Sequence, residues 1–139
     1  MGTEHRDYSG TPLPKKLGVR EGSRVLVVGA PERFELGALP SGTELERSTR
    51  APLDVVLLFV TRRAELERRF PRLAGALDPA GRLWVAWPKK ASQVETDLTF
   101  ETVQRTGLGA GLVDNKSASI DAVFQGLQFV YRLKDRPRR

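Results

Sequence analysis

Hydrophobic positions along this chain gather in short continuous runs, separated by polar breaks rich in glycine and proline. Arg24-Val25-Leu26-Val27-Val28-Gly29 reads as a buried β-strand. Leu53-Asp54-Val55-Val56-Leu57-Leu58-Phe59-Val60 is the clearest strand, and its near-continuous apolar run suits a central parallel strand covered on both faces. Arg82-Leu83-Trp84-Val85-Ala86-Trp87 is a third strand, stopped by Pro88, and Trp84 and Trp87 should face opposite sides of it. Thr43 to Ser48 alternates weakly and predicts an edge strand. The period changes after Thr61, which fits a helix N-cap. Leu66, Phe70, Leu73 and Leu77 share one helical face, with Arg62, Glu65, Arg68, Arg69 and Arg72 elsewhere. Pro71 inside that pattern predicts a kink or a division. Shorter helices are expected over Pro12–Gly18, Glu32–Leu39 and Leu98–Gly107, and Asp78-Pro79-Ala80-Gly81 is expected to be a turn. Segments 111–117 and 127–134 read as late strands. The link between them is too short for a crossover helix, so an antiparallel pair at the sheet edge is expected.

Alternating strands and helices imply an α/β domain with a mostly parallel sheet and right-handed crossovers. The expected organisation is a flexible leader over 1–10, one domain over 11–134 and a basic tail over 135–139. The 139 residues suffice for one core, and 40% hydrophobic and 29% charged residues are ordinary globular values. Cysteine is absent, which excludes disulfides, thiolate metal sites and cysteine nucleophiles. No run approaches the ~18 apolar residues of a membrane span. The polar Met1–Asp7 segment does not resemble a signal peptide, so a cytoplasmic location is expected. Half of the net charge of +6 sits at one end: from Lys134 to Arg139, four basic residues face one aspartate, and the remaining +3 is spread over the body. Such a tail serves solubility or nonspecific contact more readily than sequence reading, so specific nucleic-acid binding is disfavoured.

The candidate chemistry lies at strand ends. After Gly29 come Ala30 and Pro31, where a phosphate-cradling loop would place further glycines; Pro31 has no N–H to donate and stiffens the turn. Trp87-Pro88-Lys89-Lys90 closes a predicted central strand, at the edge where open α/β sheets bind ligands, and its lysines suit phosphate or carboxylate. The Trp87–Pro88 bond is a candidate for the cis form. Asn115 and Lys116, beside Asp114, either line the same cleft or form a strand end with turn residues. His5, the only histidine, stands in the leader and is a poor catalytic or metal candidate. Ser9 and Ser92 have no base partner in the sequence.

Two resemblances follow from these residues. Leu17–Gly29 resembles the entry to class I methyltransferase folds, Leu77–Val85 resembles their later turn-and-strand segment, and the late antiparallel pair is similar to their sheet. That resemblance implies a Rossmann-like three-layer domain and S-adenosylmethionine (SAM) as cofactor. Against it, the second and third glycines are missing, and Arg47-Ser48-Thr49-Arg50 follows Glu44 and Glu46 where a ribose-binding acid is expected. Tyr8–Leu13, Asp54–Phe59, Trp84–Lys90 and Gly111–Lys116 also resemble a bacterial family of small proteins known only as domain of unknown function 3052, which implies no activity. The resulting expectation is a Rossmann-like binding or regulatory module without catalysis. Its cleft would draw on Gly29, Ala30, Pro31, Trp87, Pro88, Lys89, Lys90, Asn115 and Lys116 and take a small anion or a protein partner. The alternative is a degenerate SAM-dependent methyltransferase. No metal is expected, SAM or a nucleotide is the cofactor to test, and an exposed edge strand would allow a homodimer.

Overall fold

Apolar runs of five to eight residues build one sheet, and the chain between them decides how each face is covered. The computed structural model describes residues 10–50 and 52–136. Its strands are β1 (Arg24–Val28), β2 (Glu44–Leu45), β3 (Leu53–Phe59), β4 (Leu77–Pro88), β5 (Leu112–Ser119) and β6 (Phe124–Tyr131). They form a six-stranded sheet in the order β2-β1-β3-β4-β6-β5. The first four are parallel, and β6 inserts antiparallel between β4 and β5. The expected α/β fold and late antiparallel pair are therefore present, with β5 at the edge. Side chains on β3 and β4 alternate between the two faces. Val56, Leu58, Leu83, Val85 and Trp87 face one side, while Val55, Leu57, Phe59, Trp84 and Ala86 face the other.

The first face carries two helices, α2 (Arg63–Ala76) and α3 (Phe100–Gly109). Leu66, Phe70 and Leu73 of α2 and Val103 of α3 are buried there, as their spacing predicts. Pro71 neither divides the helix nor stops it: α2 runs through the proline, which lies on its exposed side. Gly107 of α3 sits against the ring of Phe129, and a methyl group at that position would overlap it. Thr61 is not the N-cap. Its carbonyl accepts a hydrogen bond from Thr96, and the free amide of Arg63 at the start of α2 is met instead by the Asp97 carboxylate at 2.7 Å. Thr99 caps α3 through the amide of Thr102.

The second face is thinner. It carries α1 (Leu13–Leu17), which stops at Gly18 with φ 89° as the sequence predicts, and an extended segment after β1. The helix expected over Glu32–Leu39 does not form. Phe34, Leu36 and Leu39 instead pack from an irregular chain onto the sheet; Phe34 and Leu36 are two apart, as in extended backbone, and Pro31, Pro40 and the left-handed Gly37 interrupt a helical turn. Two further boundaries differ. Asp78–Gly81 is an irregularity inside a longer β4, with Leu53 opposite Leu77 and Val55 opposite Arg82; the turn residues mark it, and the strand resumes. β6 starts earlier than expected and ends at Tyr131, leaving Leu133 exposed in a short 3-10 turn. Among the described residues no helix is long and apolar enough to cross a membrane. The leader expected over 1–10, with His5 and Ser9, lies outside the described residues except for Gly10, as do 137–139 of the tail.

Candidate functional site at the carboxyl edge of the sheet

The carboxyl ends of β1, β3 and β4 define one edge, and the strand order reverses there between β1 and β3. In open α/β sheets such a switch point is the usual ligand crevice. Gly29 stands at it with φ 73°, in the left-handed region. A Cβ at Gly29 would lie 2.7 Å from the carbonyl oxygen of Phe59, so the close approach of β1 to β3 already requires glycine, without any ligand. Ala30 and Pro31 are exposed, and Pro31 accepts a turn hydrogen bond from the amide of Phe34. That turn lays Phe34 against Phe59, with ring centroids 4.9 Å apart, and Phe59 meets Phe124 edge-on at 5.0 Å. Three aromatic rings thus close the thin side of the edge.

The helix side of the same edge is open. A groove of about 540 Å³ runs from Leu26–Gly29 to α2, lined by Arg47, Ser48, Thr49, Arg68, Arg69 and Arg72. Arg69 pairs with Glu65 at 3.3 Å. Four arginines and no acidic residue line the groove. The sequence shows why they meet. Arg72 lies one turn after the adjacent Arg68 and Arg69 on α2, Arg47 follows β2, and the connections that enter and leave β2 carry no helix. The pattern of the chain marked these arginines only as the polar side of a helix; the missing cover turns that side toward β1.

The remaining expected site residues lie elsewhere. Trp87 is buried beneath α3's end of the core, and the Trp87–Pro88 bond is trans, so it is not the cis bond for which it was a candidate. The Pro88 carbonyl accepts from Gln125. The Lys89 ammonium donates to Ser119 at 2.8 Å, while Lys90 is exposed at the start of a 3-10 turn. Trp87 and Lys89 border a shallow recess with Phe100 and Gln125, distinct from the arginine groove. Asn115 accepts from Gln128 at 2.8 Å, and Lys116 donates to the Lys16 carbonyl at 3.3 Å, both in the middle of β5 and on the thin face. Gly29, the pair Trp87 and Lys89, and Lys116 therefore line three separate hollows. Among the described residues no group of three or more His, Asp or Glu side chains is placed to hold a metal ion.

The groove can be set against the cofactor that the fold implies. SAM brings a ribose diol and a sulfonium cation, which call for a carboxylate and for close backbone approach. The groove offers arginines, a single glycine occupied by strand packing, and a proline without an N–H. The lining thus offers partners for the methionyl carboxylate of that cofactor and none for its ribose diol or sulfonium.

No protein-family model matches the chain, and no curated protein matches it in sequence. Membership in the family of domain of unknown function 3052 accordingly finds no support. Solved structures do match in fold. Magnesium protoporphyrin IX methyltransferase from Synechocystis PCC 6803, solved with bound S-adenosylhomocysteine, aligns with TM-score 0.53 at 12% identity over 81% of this chain and 75% of that one. A TehB-like SAM-dependent methyltransferase from Corynebacterium glutamicum aligns with TM-score 0.52 at 11% identity, over 94% of this chain and 95% of that one. A pericyclic reaction enzyme aligns with TM-score 0.50 at 15% identity, over 89% of this chain and 48% of that one. The chain therefore has the Rossmann-like fold of SAM-dependent methyltransferases.

Proposed function

We propose that this protein is a binding module of methyltransferase fold that holds an anionic ligand at the carboxyl edge of its sheet, in the groove between β1 and α2. The observation that carries the reading is the convergence of Arg47, Arg68, Arg69 and Arg72 beside Gly29 with no carboxylate in the lining. Guanidinium groups bind phosphate and carboxylate by paired, charge-assisted hydrogen bonds, and a groove of this size admits a small metabolite. The aromatic closure of Phe34, Phe59 and Phe124 directs a ligand to the helix side.

A second reading, a degenerate SAM-dependent methyltransferase, is favoured by the fold neighbours, two of which are methyltransferases by name. On that reading the arginines would receive the methionyl carboxylate, and Glu46, half-buried just past β2, is the acid nearest in the chain to a ribose site.

A thermal-shift titration separates the two. Phosphate, pyrophosphate, SAM and S-adenosylhomocysteine are each added to the wild type and to Arg68→Gln/Arg72→Gln. Saturating ligand at 100 times its Kd stabilises by about 2.7 kcal/mol. A rise with pyrophosphate that the double variant loses supports the anion module. A rise with SAM or S-adenosylhomocysteine and none with the inorganic anions overturns it in favour of the methyltransferase.

A further inference from the structure

The thin face carries a second basic hollow, remote from the carboxyl edge. It lies between α1 and the middle of β5 and β6, has a volume of about 720 Å³, and is lined by Lys15, Lys16, Arg20, Arg82 and Lys116 with Gln128 at its floor. No carboxylate lines it. Arg82 projects from β4 on the face of Trp84, half-buried, with its guanidinium laid over Gly18 and donating to the Gly18 carbonyl at 3.1 Å. A side chain at position 18 would displace that guanidinium, so the left-handed glycine that ends α1 also seats the arginine. Among the described residues, Arg82 has no carboxylate within ion-pairing distance. Its other flank borders a smaller recess with Glu21, Asp54 and Asp78. There the Asp54 and Asp78 carboxylates accept from the backbone amides of Arg24 and Ala80.

Two lysines are held in place as well. Lys116 donates to the Lys16 carbonyl, and Lys16 reaches the carbonyl of Ser119 at 3.4 Å. Burial, and then the charge of Arg20, lower the Arg82 pKa from its ordinary value. Five positive side chains around one hollow repel one another, and a multivalent anion relieves that repulsion. Val19 and Leu39 give the hollow an apolar wall that a free inorganic ion would not use.

We infer that the hollow between α1 and β5 is a second binding site, built for a phosphorylated small molecule whose phosphates meet Arg20, Arg82 and Lys116 and whose organic part lies against Val19 and Leu39. The site is independent of the groove at the carboxyl edge, since it opens on the other face of the sheet and shares no residue with it.

The test is a backbone-amide NMR titration with inorganic pyrophosphate and with ADP, in the wild type, in Arg20→Gln/Lys116→Gln and in Arg68→Gln/Arg72→Gln. Arg20 and Lys116 are exposed, so the first double variant should keep the wild-type spectrum, and Arg82→Gln serves as a third probe. The expected result is saturable shifts at Gly18, Val19 and Gln128 with both ligands. Affinity should be at least tenfold higher for ADP than for pyrophosphate, fall at least tenfold in Arg20→Gln/Lys116→Gln, and stay unchanged in Arg68→Gln/Arg72→Gln. Shifts confined to Gly29 and α2 would overturn this site while leaving the carboxyl-edge reading intact. Linear, unsaturated shifts across all basic surfaces would overturn it too, as would binding of a single-stranded RNA in place of both ligands.

Discussion

The two faces of the sheet bury similar apolar residues but are covered in different ways. On one, α2 and α3 set Leu66, Phe70, Leu73 and Val103 onto β3, β4 and β6 through regular, spaced contacts, with Phe70 and Phe129 edge-on at 5.2 Å. On the other, a helix of five residues and an irregular segment do the same work with Leu17, Phe34, Leu36 and Leu39. On the helical side the hollows lie along the flanks of the helices, one between α2 and α3 and the basic one between α2 and β1. The thin cover leaves its hollow in the middle of the sheet, between α1 and β5. The two basic hollows thus mark where each cover runs out. The difference teaches that the basic hollows of this fold need not follow the strand ends alone; they also lie where helical cover is absent.

Substitutions can break that comparison, beginning with the largest effect. Phe129→Ala removes a fully buried ring wedged against Gly107 and Phe70, and should cost about 3–5 kcal/mol in a urea melt. If the irregular cover is the weaker one, Phe34→Ala, half-buried against Phe59, should cost only roughly 1–2 kcal/mol by its smaller buried area. An equal loss from both would show the thin face to be as tightly packed as the other. Asp97→Ala strips α2 of the carboxylate on its first amide and should cost about 1 kcal/mol, with amide exchange rising first at Arg63. The smallest effect belongs to Glu67→Gln. Its ion pair with Arg63, 2.9 Å long, lies in the open on α2, and removing it should leave the melting temperature unchanged.

Much of the fold was legible because buried parallel strands advertise themselves. The run Leu53–Phe59 and the helical spacing of Leu66, Phe70 and Leu73 needed no tertiary knowledge. The opposition of Trp84 and Trp87 followed from strand geometry alone, and the two side chains do lie in opposite clusters. The errors share one cause, local signals overruled by distant partners. Phe34, Leu36 and Leu39 are few enough to pass for a helix face until the sheet beneath them is present. Asp78-Pro79-Ala80-Gly81 reads as a turn, yet pairing with β3 recovers the strand on both sides of it. Thr61 carries the preferred capping residue type, but Asp97, from the loop that precedes α3, meets the first amide of α2. The sites were less legible than the fold. Arg68, Arg69 and Arg72 look like an ordinary solvated helix side, and Arg82 like the polar start of a strand. Their meaning depends on which neighbours fail to cover them.

The antiparallel insertion of β6 has a consequence for the chain during synthesis. β4 pairs on one side with β3, made before it, and on the other with β6, made some forty residues later. Until Phe124–Tyr131 leaves the ribosome, Leu83–Pro88 presents a bare, apolar edge of the kind that recruits strands from other molecules. α3 meets the same delay, since the ring that fills the space at Gly107 belongs to β6. The last of the described strands to be made is therefore the one that joins β5 to the sheet, and a chain stalled before it would be a strong candidate for capture by chaperones or for aggregation.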